Sequence, residues 1–181
     1  MIRKIAAITA SAVFILSACA TAQKTPIQET KAAPMITMGN GEFNSIRMDG
    51  LTRADGVTHF SETRIHDGVA FSFRGDSVKL TFPEVVIENA GFIVLHPVMD
   101  GRPNGDVVSG FTYLKSGVHK DVTVHLNTPA DAGRKFLAML HTDIDNDRVL
   151  DFVFVEDGIN VEDTAVLEGT KMIAHIFSIP E

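Results

Sequence analysis

The stretch Asp121-Val122-Thr123-Val124-His125-Leu126 places an apolar side chain at every second position. Successive side chains of a strand point to opposite faces, so this period of two predicts a strand with one buried face. Ser77-Val78-Lys79-Leu80-Thr81-Phe82 repeats the alternation. Three other runs are apolar on both parities: Gly91-Phe92-Ile93-Val94-Leu95, Phe136-Leu137-Ala138-Met139-Leu140 and Met172-Ile173-Ala174-His175-Ile176-Phe177. These predict central strands covered on both faces. Between the runs lie Asp67-Gly68, Asp100-Gly101, Asn104-Gly105 and Asp157-Gly158, pairs that favour the positive φ of tight turns. Pro83, Pro97 and Pro129 are expected at or near strand ends, where a missing N–H is tolerated. Many short strands with regularly spaced turns and no strong helical period predict an all-β fold. The expected architecture is an antiparallel β-sandwich, with a barrel as the alternative.

Outward from that core, the chain begins with a different pattern. Arg3 and Lys4 precede the weakly polar to apolar run Ile5 to Leu16, and small residues lead into Cys19. This is the three-zone layout of a secretory signal. The run falls well short of the roughly 20 residues that cross a bilayer as a helix. Residues 20–40, ATAQKTPIQETKAAPMITMGN, show neither helical nor strand periodicity. Treated as flexible coil, they would span roughly 25 Å. The expected organisation is a signal peptide over 1–18, a flexible tether over 19–40, a hairpin or edge extension over 41–76 and a sandwich domain over 77–181.

Composition narrows the partners. The chain is 45% hydrophobic and 22% charged, which argues against a wholly disordered protein. Removing Arg3 and Lys4 with the signal leaves 14 of the 16 basic residues against 23 acidic ones, a net charge of −9. Such a surface repels phosphate backbones and anionic lipid headgroups, so no nucleic-acid partner is expected. Any membrane attachment must come from another source. The single cysteine, Cys19, excludes a disulfide within the chain and a cysteine-rich zinc site.

Leu16-Ser17-Ala18-Cys19 resembles a bacterial lipobox. The resemblance implies cleavage before Cys19, a diacylglycerol on its thiol and an acyl chain such as palmitate on its amine. Two or more chains anchor stably where one does not. Ala20 rather than Asp follows the cysteine, which resembles the default sorting to the outer membrane with the domain facing the periplasm.

A second resemblance covers roughly Ser77 to the C-terminus. Its blocks are Asn89-Ala90-Gly91-Phe92-Ile93-Val94-Leu95-His96, then Tyr113-Leu114-Lys115-Ser116-Gly117-Val118-His119 leading into Val122-Thr123-Val124, then Ala138-Met139-Leu140-His141-Thr142-Asp143 followed by Asp145, Asp147, Asp151 and Phe152. Their order and spacing resemble a small β-sandwich domain of unknown function found in exported prokaryotic proteins. The resemblance implies an immunoglobulin-like sandwich and an extracytoplasmic location, and no reaction.

The sharpest local feature is Asp143-Ile144-Asp145-Asn146-Asp147-Arg148-Val149-Leu150-Asp151. Acids at positions 1, 3, 5 and 9 match the ligand spacing of a Ca²⁺ loop. Arg148 stands at position 6, where an EF-hand has Gly, and Phe154 stands at position 12 in place of its bidentate Glu. An EF-hand proper is rejected. A less regular calcium loop through Asp143, Asp145, Asp147 and Asp151 remains, beside the plainer reading of a solvated acidic turn. Two carboxylates about 6 Å apart in water repel by under about 1 kcal/mol, which a solvated loop carries unaided.

His96, His141 and His175 lie on or beside the apolar runs, and neutral imidazole binds copper or zinc. The plainer reading is hydrogen-bonded structural histidines, His141 pairing with Asp143 and His125 facing solvent with Thr123. A blue-copper centre needs a Cys thiolate, and Cys19 is committed elsewhere. No nucleophile elbow, His-Glu-x-x-His, phosphate loop or dinucleotide fingerprint occurs. Glu84 and Glu88 are paired acids with nothing to place them in one cleft. The expected protein is a non-catalytic binding or assembly module anchored through Cys19, with an unidentified envelope partner and no cofactor. Calcium binding is the alternative, and copper or zinc the less favoured one.

Overall fold

The computed structural model describes residues 35–65, 69–127, 130–151, 155–156, 159–160 and 162–181, all within one compact unit, Pro34–Glu181. The signal, Cys19 and the tether up to residue 34 lie outside the described residues, as do Asp67-Gly68, Pro129 and Asp157-Gly158. Among the described residues no helix is long and apolar enough to cross a membrane.

Among the described residues fourteen strands follow in order: β1 (Thr37–Met38), β2 (Ser45–Arg47), β3 (Thr52–Ile65), β4 (Val69–Ile87), β5 (Gly91–Met99), β6 (Arg102–Pro103), β7 (Gly110–Leu114), β8 (Gly117–His125), β9 (Lys135–Thr142), β10 (Val155–Glu156), β11 (Ile159–Asn160), β12 (Leu167–Glu168), β13 (Lys171–Met172) and β14 (Ala174–Ser178). In one sheet β5 pairs with β9, which pairs with β14, while the other edge of β5 pairs with β7 and then β6. In the second, β4 pairs with β8 on one edge and with β3 and then β2 on the other. All these pairings are antiparallel, as the sequence predicts for a sandwich. A small separate sheet, β1-β13-β12, contains a parallel pair, β1 with β13.

The main core lies between the two sheets. Leu80, Phe82, Val122 and Val124 meet Ile93, Leu95, Phe136, Ala138 and Leu140, and Ile46 of β2 joins them. The alternation of 122–126 is therefore the inward face of β8 and the turn after it. The doubly apolar runs of β5 and β9 are buried on both faces. Phe92 and Val94 pack outward against Leu150 and the β7 residues Phe111 and Tyr113. Leu137 and Met139 pack outward against Ala165 and Met172. The chain after β9 thus roofs the outer face of its own sheet.

Two expectations are corrected. The run 172–177 is not a central strand: β14 is an edge, and Ile176 is 47% exposed. Pro83 lies inside β4 rather than near its end, whereas Pro97 is near the end of β5, as expected. Each sits where one edge of its strand passes from one partner to the next. Beside Pro83, β3 has ended at Thr52 opposite Thr81 and β2 begins with Arg47 opposite Glu84. Beside Pro97, β7 gives way to β6. A missing N–H costs no ladder bond at such a seam. Asp100 (φ 51°) and Gly101 (φ 78°) form the two-residue turn from Met99 to Arg102, the left-handed geometry expected of that pair.

The β3–β4 hairpin outruns the sandwich. Among the described residues, 57–65 pair only with 69–77, because β8 joins β4 from Lys79 onward. A bulge between Ala54 and Val57 separates this arm from the rest of β3, with Gly56 at φ 63°.

Candidate functional site

The acidic loop leaves the end of β9. Thr142 bonds its amide to the Thr164 carbonyl (2.9 Å), and Asp143 bonds its own to Ala90 (3.3 Å). Gly91 lies where β5 passes this point, and a Cβ there would collide with the His141 carbonyl; only glycine permits the approach. Asn146 (φ 62°) and Arg148 (φ 66°) are left-handed, so the chain makes the turn at position 6 without a glycine. The loop returns through Leu150, which is buried against Phe92 and Val94. Arg148 lies over the Tyr113 ring, its guanidinium carbon 5.7 Å from the centroid.

Of the four acids singled out by spacing, three converge. Asp143, Asp145 and Asp147 each bring a carboxylate oxygen within 4.8 Å of the others. Asp145 and Asp147 are exposed, whereas Asp143 is only 5% exposed. Asp143 Oδ1 accepts the Arg148 amide at a long 3.5 Å, and its buried Oδ2 has no hydrogen-bond partner among the described residues. Burial pushes its acid above the usual carboxylate range, with the neighbouring charges of Asp147 and Asp145 adding to that. Asp151 is outside this trio. It is buried at the base of the loop, where its amide bonds to Asp163 Oδ2 (3.0 Å).

Asp163 belongs to no motif visible in the sequence, and it organises the loop. Its Oδ1 accepts the Ile144 amide (2.9 Å), its Oδ2 accepts the Asp151 amide, and its own amide bonds to the Asp151 carbonyl (2.9 Å). One side chain therefore pins both ends of the loop. Burial raises its pKa to about 7, with Asp143 and Asp151 pushing the same way and the two amides opposing. Asp143, Asp151 and Asp163 are thus three buried carboxyls at the base of the loop, beneath the exposed Asp145 and Asp147.

The histidines divide. His96 and His141 are both buried, with Nε2 atoms 3.4 Å apart. Each ring turns Nδ1 to a main-chain carbonyl, His96 to Val107 (3.0 Å) and His141 to Asp163 (2.7 Å). A carbonyl only accepts, so both Nδ1 atoms carry hydrogen, and the Nε2 contact gains its own proton only when one ring is charged. Burial pushes His141 down to about 4, the Asp163 carbonyl opposing and His96 adding. His141 thus bonds to Asp163 rather than to the expected Asp143. His175 lies elsewhere, on Asn40 Oδ1 (2.7 Å), and His125 is half-buried on Ser77 (3.2 Å) rather than turned to solvent. No third histidine joins the pair among the described residues, and the three-donor grouping found there is the aspartate one. Glu84 is engaged with Lys120, and Glu88 is exposed.

A second carboxylate was equally invisible. Glu168 accepts the amides of Glu42 (2.6 Å), Phe43 (3.1 Å) and Asn44 (2.8 Å), and the Asn44 side-chain amide (2.9 Å). Burial would raise its acid, but the Asn44 side chain and the three main-chain donors outweigh that and hold it low.

Fold and loop together define a β-sandwich module with an acid-lined turn at one end. Residues 69–175 match the family described as a domain of unknown function, DUF7282, and the chain belongs to that family. It is also 34% identical over 94 residues to cell surface glycoprotein 1 of Haloarcula hispanica, covering 49% of this chain and 10% of that protein. Cell surface glycoprotein 2 of the same organism is 34% identical over 92 residues, 45% of this chain and 10% of the relative. The chain thus spans about a tenth of the length of these curated relatives. No solved structure matches.

Proposed function

We propose that this protein is a lipid-anchored, non-catalytic module displayed at the cell envelope, where its sandwich binds or helps assemble another envelope component. The observation that carries the reading is the recurrence of about half of this chain inside two much longer proteins named for the cell surface. A unit reused in that way is a building block of extracellular architecture. Here the same kind of unit follows a lipobox-like Leu16-Ser17-Ala18-Cys19 and a short tether. The anchor is Cys19 acylation, and Ala20 favours the outer membrane with the domain facing the periplasm. The contact surface is the edge strand β1 with Met35, Ile36, Met38 and Phe43, all about half exposed or more. An edge strand flanked by apolar side chains suits strand addition by a partner.

Mass spectrometry of the protein extracted from membranes tests the anchor. The expected product begins at an acylated Cys19, and Cys19→Ala leaves the protein unprocessed. A free thiol, or a mature chain retaining residues 1–18, overturns the anchor. Cross-linking in intact cells tests the assembly role: a partner captured by wild type and lost when Met38 and Phe43 are changed to Ser supports it. Unchanged capture by that variant removes β1 as the contact.

A further inference from the structure

We infer that Asp143, Asp145 and Asp147 form a calcium site at the end of the sandwich. All three donors are carboxylate oxygens, the set that a hard cation selects. Two oxygens bound to one calcium at about 2.4 Å each are at most about 4.8 Å apart, and the three ligand atoms lie within 4.8 Å of one another. A cluster of exposed acids alone would say little. The independent observation is Asp143 Oδ2: it belongs to a side chain that is 5% exposed, is itself shut off from solvent, and has no hydrogen-bond donor among the described residues.

The energetics point the same way. At 4.8 Å two unit charges repel by about 1 kcal/mol in water and by about 3.5 kcal/mol at an effective dielectric of 20. Asp145 and Asp147 are in the first regime, and buried Asp143 is nearer the second. A cation held among the three carboxylates reverses all three repulsions and offsets the buried charge of Asp143. Water completes a shell of six to eight oxygens on the exposed side. The loop is held for the ion beforehand, since Asp163 fixes the amides of Ile144 and Asp151 at its two ends. A half-exposed site with three carboxylates fits the weak class of extracellular calcium modules, with a dissociation constant of roughly 10⁻⁴–10⁻³ M.

Tyr113 gives a direct readout, because it is the only tyrosine, the chain has no tryptophan, and Arg148 of the loop lies over its ring. The full chain, purified in mild detergent and stripped with chelator, is titrated with Tb³⁺ and excited through tyrosine. Sensitised emission should saturate at one ion per chain and be displaced by millimolar Ca²⁺. Calcium should raise Tm by several degrees where equal Mg²⁺ does much less. Tyr113→Phe should abolish the emission while keeping the Tm rise. Asp143→Asn should lose both, and Asp145→Asn, a surface change, should weaken calcium at least tenfold. The assignment is overturned if 10 mM Ca²⁺ neither displaces Tb³⁺ nor raises Tm. It is equally overturned if magnesium matches calcium, or if Asp143→Asn and Asp145→Asn respond as wild type does.

Discussion

Glu168 and the 143–163 acids are two answers to the same problem of placing carboxylate near the interior. Glu168 meets four N–H donors and is held in its charged form. At the other place three carboxyls are buried together, one oxygen of Asp143 has no donor, and the acids of Asp143 and Asp163 are pushed up. The difference is one of donors per charge. Where main-chain amides are plentiful the carboxylate is a fastener. Where they run out, the remaining negative charge calls for a proton or a cation.

The comparison can be broken first at the fastener. Glu168→Ala leaves the amide and side-chain donors of buried Asn44 without their acceptor, and should cost about 3–4 kcal/mol in a urea melt. The loss should be the same with and without calcium. Leu150→Ala attacks the other region from its apolar side. It opens a cavity against Phe92 and Val94, with an expected loss of about 2–4 kcal/mol, and should weaken calcium as well because Leu150 seats the returning loop. Asp143→Asn sharpens the contrast, since its expected sign without metal is opposite. Removing a buried, poorly satisfied charge should leave metal-free stability unchanged or raise it by about 1 kcal/mol at pH 8, while abolishing the calcium response.

The smallest effect is a pH slope measured in chelator. His141 titrates near 4 in the fold and near 6.5 in the unfolded chain. The folded state therefore binds fewer protons, and stability present above about 6.5 is lost as the pH falls toward 4. Asp163 runs the other way: its folded pKa of about 7 means that stability falls as the pH rises from about 4 through 7. His141→Gln should make Tm rise more, or fall less, than in wild type as the pH is lowered from 6.5 to 4, because the opposing contribution of Asp163 remains. An unchanged profile would show that this histidine does not sense the burial described.

Much of the sandwich could be read from periodicity, because a face that must be apolar leaves its mark at every second residue. The runs of β5 and β9 declared that both faces were covered, and they are. The same composition misled at 172–177. An apolar run reports that its environment is dry on average, and does not say which strand ends at an edge; β14 became one because the pairing order stops there. The missing N–H of a proline suits a strand end, but for Pro83 a seam between two partners serves as well, and seams are a property of topology. Three ligand candidates were legible because they are neighbours in sequence. Asp151 shared their spacing and went instead to the loop's base. Asp163 and Glu168 carried no signal, since their partners lie from 12 to 126 residues away.

The bulge at Asp55-Gly56 acts as an elbow. Past it, among the described residues, the two long strands pair only with one another, so trimming the overhang would deprive neither sheet of a paired strand. The reach of this protein can therefore change by insertion or deletion in the forearm while the body that carries the acid-lined turn keeps its shape.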